Sequence, residues 1–328
     1  MLSFSKRLVL TIAALLVAGC SGSSGSSPSN TSSLPSVNVT HAGIPVPGFA
    51  KDIYVADPSA ATVLGYSYVQ ANIGNAAPNC LVGIQPTNIA TSGDQNLIEI
   101  AGLSISVYGH GWCGGQIGTS VTDTYGKPQD AASNVAAKGN IAVATFDGYG
   151  NGSLTICSLP SHACNNNYTN AAMTQEAVGV AMTNNGNCFV TASTFSTPVL
   201  VYFAHCSGGG VVATGFQNTS AGGLDIDHVG NLVSVDPSAN EIWVYKGCPV
   251  CVNLTNSPLA LNSGSTVRYA HVNGNSTKLA AANAATHSID VYKYGSTVNA
   301  VNIWSYWHSF NNGMTSAWGV GWLPRSSQ

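Results

Sequence analysis

"GNLVSVDPSANEIWVY", Gly230 to Tyr245, is two apolar runs on either side of a polar turn. The same phrase occurs early in the chain as "DIYVADPSAATVLGY", Asp52 to Tyr66. Related phrases are "NLIEIAGLSISVY" from Asn96, "NIAVATFDGYGNGSLTIC" from Asn140, "NCFVTASTFSTPVLVY" from Asn187 and "KLAAANAATHSIDVY" from Lys278. With the opening phrase counted from Asn231, the starts lie 44, 44, 47, 44 and 47 residues apart. A repeat of that length, built of short strands, is the period of a four-stranded propeller blade.

Within each unit the second run alternates with period two, as in "ISVY", "VLVY", "IWVY" and "IDVY", which is the strand signal. Upstream lies a further strand, "NIAT", "VGVAM", "GGLDID" or "YAHV". Turns such as "TSGDQN", "TNNGN" and "DHVGN" follow it and supply the positive φ that tight hairpins need. The predicted fold is all-β: a six-bladed β-propeller of four-stranded antiparallel blades. The first unit lacks its upstream strand, whereas "SAWGVGWLP", Ser316 to Pro324, has that strand's form with no blade after it. The C-terminal strand is therefore expected to join the N-terminal blade and close the ring. Asp236 of the opening phrase is matched by Asp57, Ala192 and Asn283 in other units. A residue repeated with the blade reads as a turn cap rather than a catalyst, and Asp before Pro initiates turns.

The N-terminus is set apart from the fold. Lys6 and Arg7 precede the apolar run Leu8 to Gly19, which is too short for a comfortable membrane span. The run ends in "VAGC", which resembles the lipobox of bacterial lipoproteins, and that resemblance implies cleavage of residues 1–19 and lipidation of Cys20. Residues 20–47 are a Ser/Gly-rich tether with a root-mean-square reach of about 30 Å. The propeller is expected over residues 48–328. The reading is a monomer anchored to a membrane by lipid, in the bacterial cell envelope, facing periplasm or exterior. The chain is only 7% charged with a net charge of −3 and has no basic run, which excludes a nucleic-acid partner.

Eight cysteines follow Cys20, an even number that suits disulfides in an exported chain. Spacing suggests Cys157–Cys164 and Cys248–Cys251. Cys188–Cys206 could bridge a hairpin, and Cys80–Cys113 is left by elimination. "CPVC", Cys248 to Cys251, could also be a redox pair, but lacks the βαβ context of such motifs.

"PQDAASNVAAKGNIAVA" (Pro128–Ala144) and "GGLDIDHVGNLVSVD" (Gly222–Asp236) resemble the NHL-repeat and SMP-30/gluconolactonase-like group of six-bladed propellers. That resemblance covers nearly all of Gly48 to Pro324 and implies a calcium ion on the central axis, held where each innermost strand begins. The equivalent positions here are Asn88, Asp130, Gly179, Gly223, Tyr269 and Gly319, with Gln129, Glu176, Arg268 and Trp318 as neighbours. Three of the aligned positions are glycines, and the Glu-Gly-Pro motif of gluconolactonases is absent, so the sequence departs from the calcium pattern. No resident cofactor is expected. If calcium is bound, Asn88, Asp130 and Glu176 are its ligands. "DIDHVG", Asp225 to Gly230, faintly resembles a calcium loop, but Val229 stands at a ligand position and the frame is that of a hairpin turn. Neither a His-Glu-x-x-His pair nor a Gly-x-Ser-x-Gly elbow is present.

Four of the six tryptophans lie in Asn302 to Trp322. Trp318 and Trp322, four apart, would share one face of a strand, as a platform for a ligand or as packing between closing blades. The expected function is a binding scaffold for an envelope protein or glycan, without catalysis. A calcium-dependent lactonase and a sugar-binding module are the alternatives. The expected binding residues are Asn88, Gln129, Asp130, Glu176, Arg268 and Trp318.

Overall fold

The structure, a computed structural model, describes residues 52–67, 79–82, 85–92, 96–109, 115–134, 139–254, 258–262, 264–297, 301–311 and 313–323. Contacts divide the chain into Met1–Asn38 and Val39–Gln328, and every described residue lies in the second unit. Cys20, the tether and Cys113 lie outside the described residues, as does the side chain of Cys80.

Six antiparallel sheets, each mainly four-stranded, form the six blades. Blade 1 contains β1 (Asp52–Asp57), β2 (Thr62–Ser67) and β3 (Asn79–Val82). Blade 2 is β4 (Asn88–Thr91), β5 (Leu97–Ala101), β6 (Ser104–Tyr108) and β7 (Val121–Thr122). Blade 3 is β8 (Lys127–Ala132), β9 (Asn140–Phe146), β10 (Gly152–Ser158) and β11 (Ala163–Tyr168). Blade 4 is β12 (Ala177–Met182), β13 (Cys188–Ala192), β14 (Val199–Phe203) and β15 (Val211–Val212). Blade 5 is β16 (Leu224–Ile226), β17 (Leu232–Asp236), β18 (Glu241–Lys246) and β19 (Val252–Asn253), with β20 (Leu259–Ala260) also on β18. Blade 6 is β21 (Val267–Val272), β22 (Lys278–Asn283), β23 (Ser288–Ser296) and β24 (Val301–Phe310). The final strand, β25 (Gly319–Leu323), returns to blade 1, where Val320 pairs with Val55 and Trp322 with Ile53. The innermost strands β25, β4, β8, β12, β16 and β21 pack side by side around the axis.

Period-two alternation distributes each strand between two interfaces. On β1, Ile53 and Val55 join the apolar cluster against blade 6, while Tyr54 and Ala56 join the cluster against blade 2. Equivalent clusters fill the other interfaces, for example Val180, Val190 and Val201 with Ala144 and Leu154 between blades 3 and 4. β4, β12, β16 and β25 are buried along their length, and β12 and β25 are rich in Ala, Val and Gly, because six innermost strands crowd one axis. Gly179 shows why: a Cβ there would stand 2.3 Å from the Gly222 carbonyl oxygen. Glu99 on β5 is 1% exposed and pairs across the sheet with Ser106. Burial pushes its carboxyl up to about 7, with the Ser106 hydroxyl acting in the opposite direction.

Disulfides join Cys157 to Cys164 across β10 and β11, Cys188 to Cys206 beyond the β13–β14 pair, and Cys248 to Cys251 within one turn. They fit an oxidising, extracytoplasmic compartment. Among the described residues no helix is long and apolar enough to cross a membrane.

Candidate functional site: the axial mouth

All innermost strands begin at one end of the ring. The turns that follow the second strand of each blade lie at that same end, since the blades are antiparallel hairpins. The equivalence expected from the sequence holds in the register: Asn88 faces Ile100, Asp130 faces Ala144, Gly179 faces Thr191 and Gly319 faces Ala56. Gly223 occupies the same place through the bond from the Val235 N–H to its carbonyl, 3.0 Å.

Tyr269, at the sixth position, fills the axis instead of holding a ligand there. It is 1% exposed, and its hydroxyl donates to the Gln129 carbonyl at 3.0 Å and lies 3.5 Å from that of Val178. One side chain of blade 6 thus reaches blades 3 and 4. Glycine is required opposite it, for a Cβ on Gly223 would stand 2.7 Å from the Tyr269 ring. Burial raises the phenol's pKa, so it stays a neutral donor.

Asn88 and Asp130 serve to join neighbouring blades. Asn88 donates to Asp130 Oδ1 at 2.9 Å and to the Gln129 carbonyl at 3.1 Å, and its own oxygen accepts the Ile89 N–H at 2.8 Å. Asp130 Oδ1 also accepts the Ala131 N–H, 2.9 Å, and Oδ2 accepts the Val180 N–H of blade 4, 3.0 Å. Asp225 repeats this arrangement one tier lower: it accepts the Ile226 N–H and, from blade 6, the Val272 N–H, each at 2.8 Å. His271 Nδ1 lies 3.4 Å from Asp225 Oδ2 without the alignment of a hydrogen bond, and burial lowers the imidazole's pKa so that it stays neutral. The sequence reading missed this Asp225–His271 tier, which lies two residues beyond the aligned positions.

Calcium takes about six to eight oxygens. The oxygens of Asn88 and Asp130 already accept backbone N–H groups, the amide of Asn88 points its donor at Asp130, and Glu176 is paired with Arg268 at 2.9 Å. Glycines and the Tyr269 ring occupy the remaining positions. This donor set does not fit an axial calcium. Among the described residues no group of three or more His, Cys, Asp or Glu side chains could hold a metal ion.

At the mouth, Glu176, Arg268 and Trp318 come together in a pocket of about 370 Å³. Its walls also carry Ser193, Ser238 and Thr266 and the apolar Val178 and Pro237. Arg268 and Glu176 are each about a third exposed, 31% and 33%. The guanidinium lies 5.8 Å from the centre of the Tyr269 ring. Of the six expected binding residues, three therefore line this pocket. Asn88 and Asp130 are buried in the ring, and Gln129 contributes a carbonyl that accepts from Asn88 and Tyr269.

Trp318 and Trp322 do not share a face, contrary to the sequence expectation. β25 begins at Gly319, so Trp318 precedes the strand and is 43% exposed, while Trp322 is 1% exposed in the core between blades 6 and 1. Strand alternation does not extend to a residue outside the strand. The turns of the same face carry two aromatics that the sequence reading passed over, Tyr149 at 95% exposure and Phe195 at 86%.

Asp236 and Asp57 also face this end, and each secures the chain entering an innermost strand. Asp236 accepts the N–H and hydroxyl groups of both Thr219 and Ser220, and the Ala239 N–H. Asp57 does the same with Thr315 and Ser316 and with the Ala60 N–H at 3.0 Å. The caps thus bind a Thr-Ser pair far along the chain as well as their own turn. Burial acts to raise the Asp57 pKa, but the N–H groups of Thr315 and Ala60 and the two hydroxyls outweigh it and hold the carboxyl below its usual range.

No protein-family model and no curated protein matches the chain. Solved structures do. A protein of unknown function from Bacteroides caccae is 9% identical with a TM-score of 0.58, over 84% of this chain and 100% of that one. A chain of the nidogen/laminin complex is 11% identical with a TM-score of 0.60, over 84% and 99%. The periplasmic gluconolactonase of Pseudomonas aeruginosa is 13% identical with a TM-score of 0.55, over 83% and 98%. At such identities the likeness shows the propeller fold and no activity.

Proposed function

We propose that this chain is a binding module of the bacterial cell envelope, anchored through Cys20, that presents its axial mouth to a partner and does no catalysis. The observation that carries this reading is the use of the axis. The positions that would hold calcium in the SMP-30/gluconolactonase-like group are glycines, a Tyr ring and two side chains spent on joining blades. The three disulfides support an envelope location. A gluconolactonase and a component of a protein complex both share this fold, so the fold alone supports either role.

Metal analysis of the purified protein, run beside a lactone-hydrolysis assay, tests the proposal. The expected result is neither stoichiometric calcium nor hydrolysis of gluconolactone above the uncatalysed rate. Bound calcium that disappears in Asp130→Asn, or turnover of the lactone, overturns it.

A further inference from the structure

The chemistry of the mouth narrows the partner, on the reading that the mouth is a binding site. We propose that the pocket takes the terminal ring of a neutral saccharide, stacked on Trp318, with the next ring of the chain lying toward Phe195.

The pocket's charge argues for a neutral ligand. Its walls carry one cation and one anion, Arg268 and Glu176, already paired at 2.9 Å. A phosphorylated or carboxylated ligand would be attracted to the guanidinium but repelled by the adjacent carboxylate. A sugar hydroxyl both donates and accepts, so neighbouring hydroxyls suit an edge where a guanidinium only donates and a carboxylate only accepts. Ser193 and Thr266 add hydroxyls to the same walls.

The apolar side of the argument is Trp318. Trp322, four residues on, is packed into the core, yet Trp318 is left 43% exposed on the pocket wall. A broad flat indole beside polar groups is a surface on which the C–H face of a pyranose can lie. The size agrees as well, since about 370 Å³ is near the small end of ligand pockets, roughly 300–1,000 Å³.

The floor argues for a chain end. Tyr269 spans the axis beneath Arg268 and holds carbonyls of two other blades, so nothing threads through the ring. A ligand enters and leaves by one opening, and further rings must run out across the face. Ser193 lines the pocket, and Phe195, two residues on at the tip of the same turn, is 86% exposed. It is placed to carry the second ring.

The test uses the purified full-length chain and isothermal titration with glucose, N-acetylglucosamine, maltotetraose, cellotetraose and chitotetraose, and with tetragalacturonate as the anionic comparator. Saturable binding of at least one neutral tetrasaccharide is expected, weakened about tenfold or more by Trp318→Ala. Phe195→Ala should weaken that tetrasaccharide severalfold while leaving binding of its monosaccharide unchanged. Both residues are exposed, and an unchanged melting temperature confirms that each variant folds. The proposal is overturned if no neutral saccharide binds, if only tetragalacturonate binds, or if Trp318→Ala binds as well as the parent. Absence of saccharide binding, with no lactone turnover and no calcium, removes the ligand class and leaves the binding-module reading standing. Lactone turnover removes the latter.

Discussion

Replacing Glu99 by Gln should make the protein more stable at pH 8 and change it little at pH 5. In the folded chain the carboxyl titrates at about 7 against an ordinary value of 4.5, because it is buried on β5. A raised pKa means that the folded state prefers the protonated form. The associated stability is complete below pH 4.5 and is lost as pH rises through about 7. A tenfold change in proton affinity corresponds to about 1.4 kcal/mol, so the whole loss is about 3 kcal/mol, most of which falls between pH 5 and pH 8. The amide introduced by Glu99→Gln has no charge to bury and should not show that loss. Thermal or urea unfolding of both proteins at the two pH values isolates the effect, since every other titrating group is common to them. The melting temperature of Glu99→Gln relative to the parent should rise by about 5 °C or more on going from pH 5 to pH 8. An equal difference at both pH values would refute the reasoning and show that Glu99 titrates normally.

Other parts of the ring give equally direct expectations. Gly179→Ala places a Cβ 2.3 Å from a backbone oxygen that cannot move aside, and should cost about 1–3 kcal/mol in urea unfolding. Tyr269→Phe removes the phenol that bonds carbonyls of other blades and should lose about 1–3 kcal/mol, with no change in blade packing by circular dichroism. Asp57→Ala leaves the Thr315 and Ser316 N–H groups without their carboxylate and should lose about 2–4 kcal/mol at pH 7. The low pKa of Asp57 gives the opposite pH sense to Glu99. Its stabilisation is present above pH 3.8 and is lost as pH falls through the lower folded value, so parent and Asp57→Ala should converge in acid.

The repeat made the fold legible because every blade solves the same burial problem with the same pattern. "DIYVADPSAATVLGY" and "NLVSVDPSANEIWVY" differ in most side chains yet agree in alternation and turn chemistry, which are what the sheet requires. Ring closure was legible because an orphan strand at each end of the chain has only one partner of its own form. Three disulfide pairings followed from spacing: the β10–β11 register sets Cys157 opposite Cys164, the β13–β14 hairpin brings the chain back so that Cys206 reaches Cys188, and Cys248 and Cys251 share one turn. The site was only half legible. Alignment gave the positions on the axis, and three residues expected to bind do meet at the mouth. What each side chain does there depends on partners far along the chain: Tyr269 acts on Gln129, 140 residues away, and Asn88 on Asp130, 42 residues away. No local pattern encodes such pairs. Phe195 and Tyr149 offered a usable signal, a large aromatic at the tip of a turn, where packing cannot bury it.

The clasp between Asp57 and Thr315–Ser316 joins residues 258 and 259 positions apart. A chain synthesised from its N-terminus delivers β1 long before β25. Throughout that interval the edge of β1 that will face the axis has no neighbour, and blade 1 cannot become a sheet of four. Folding of this ring is therefore held open by its own first strand until the last one arrives. Loss of the few residues from Thr315 to Leu323 should leave the rest of the molecule vulnerable to proteolysis far out of proportion to their number.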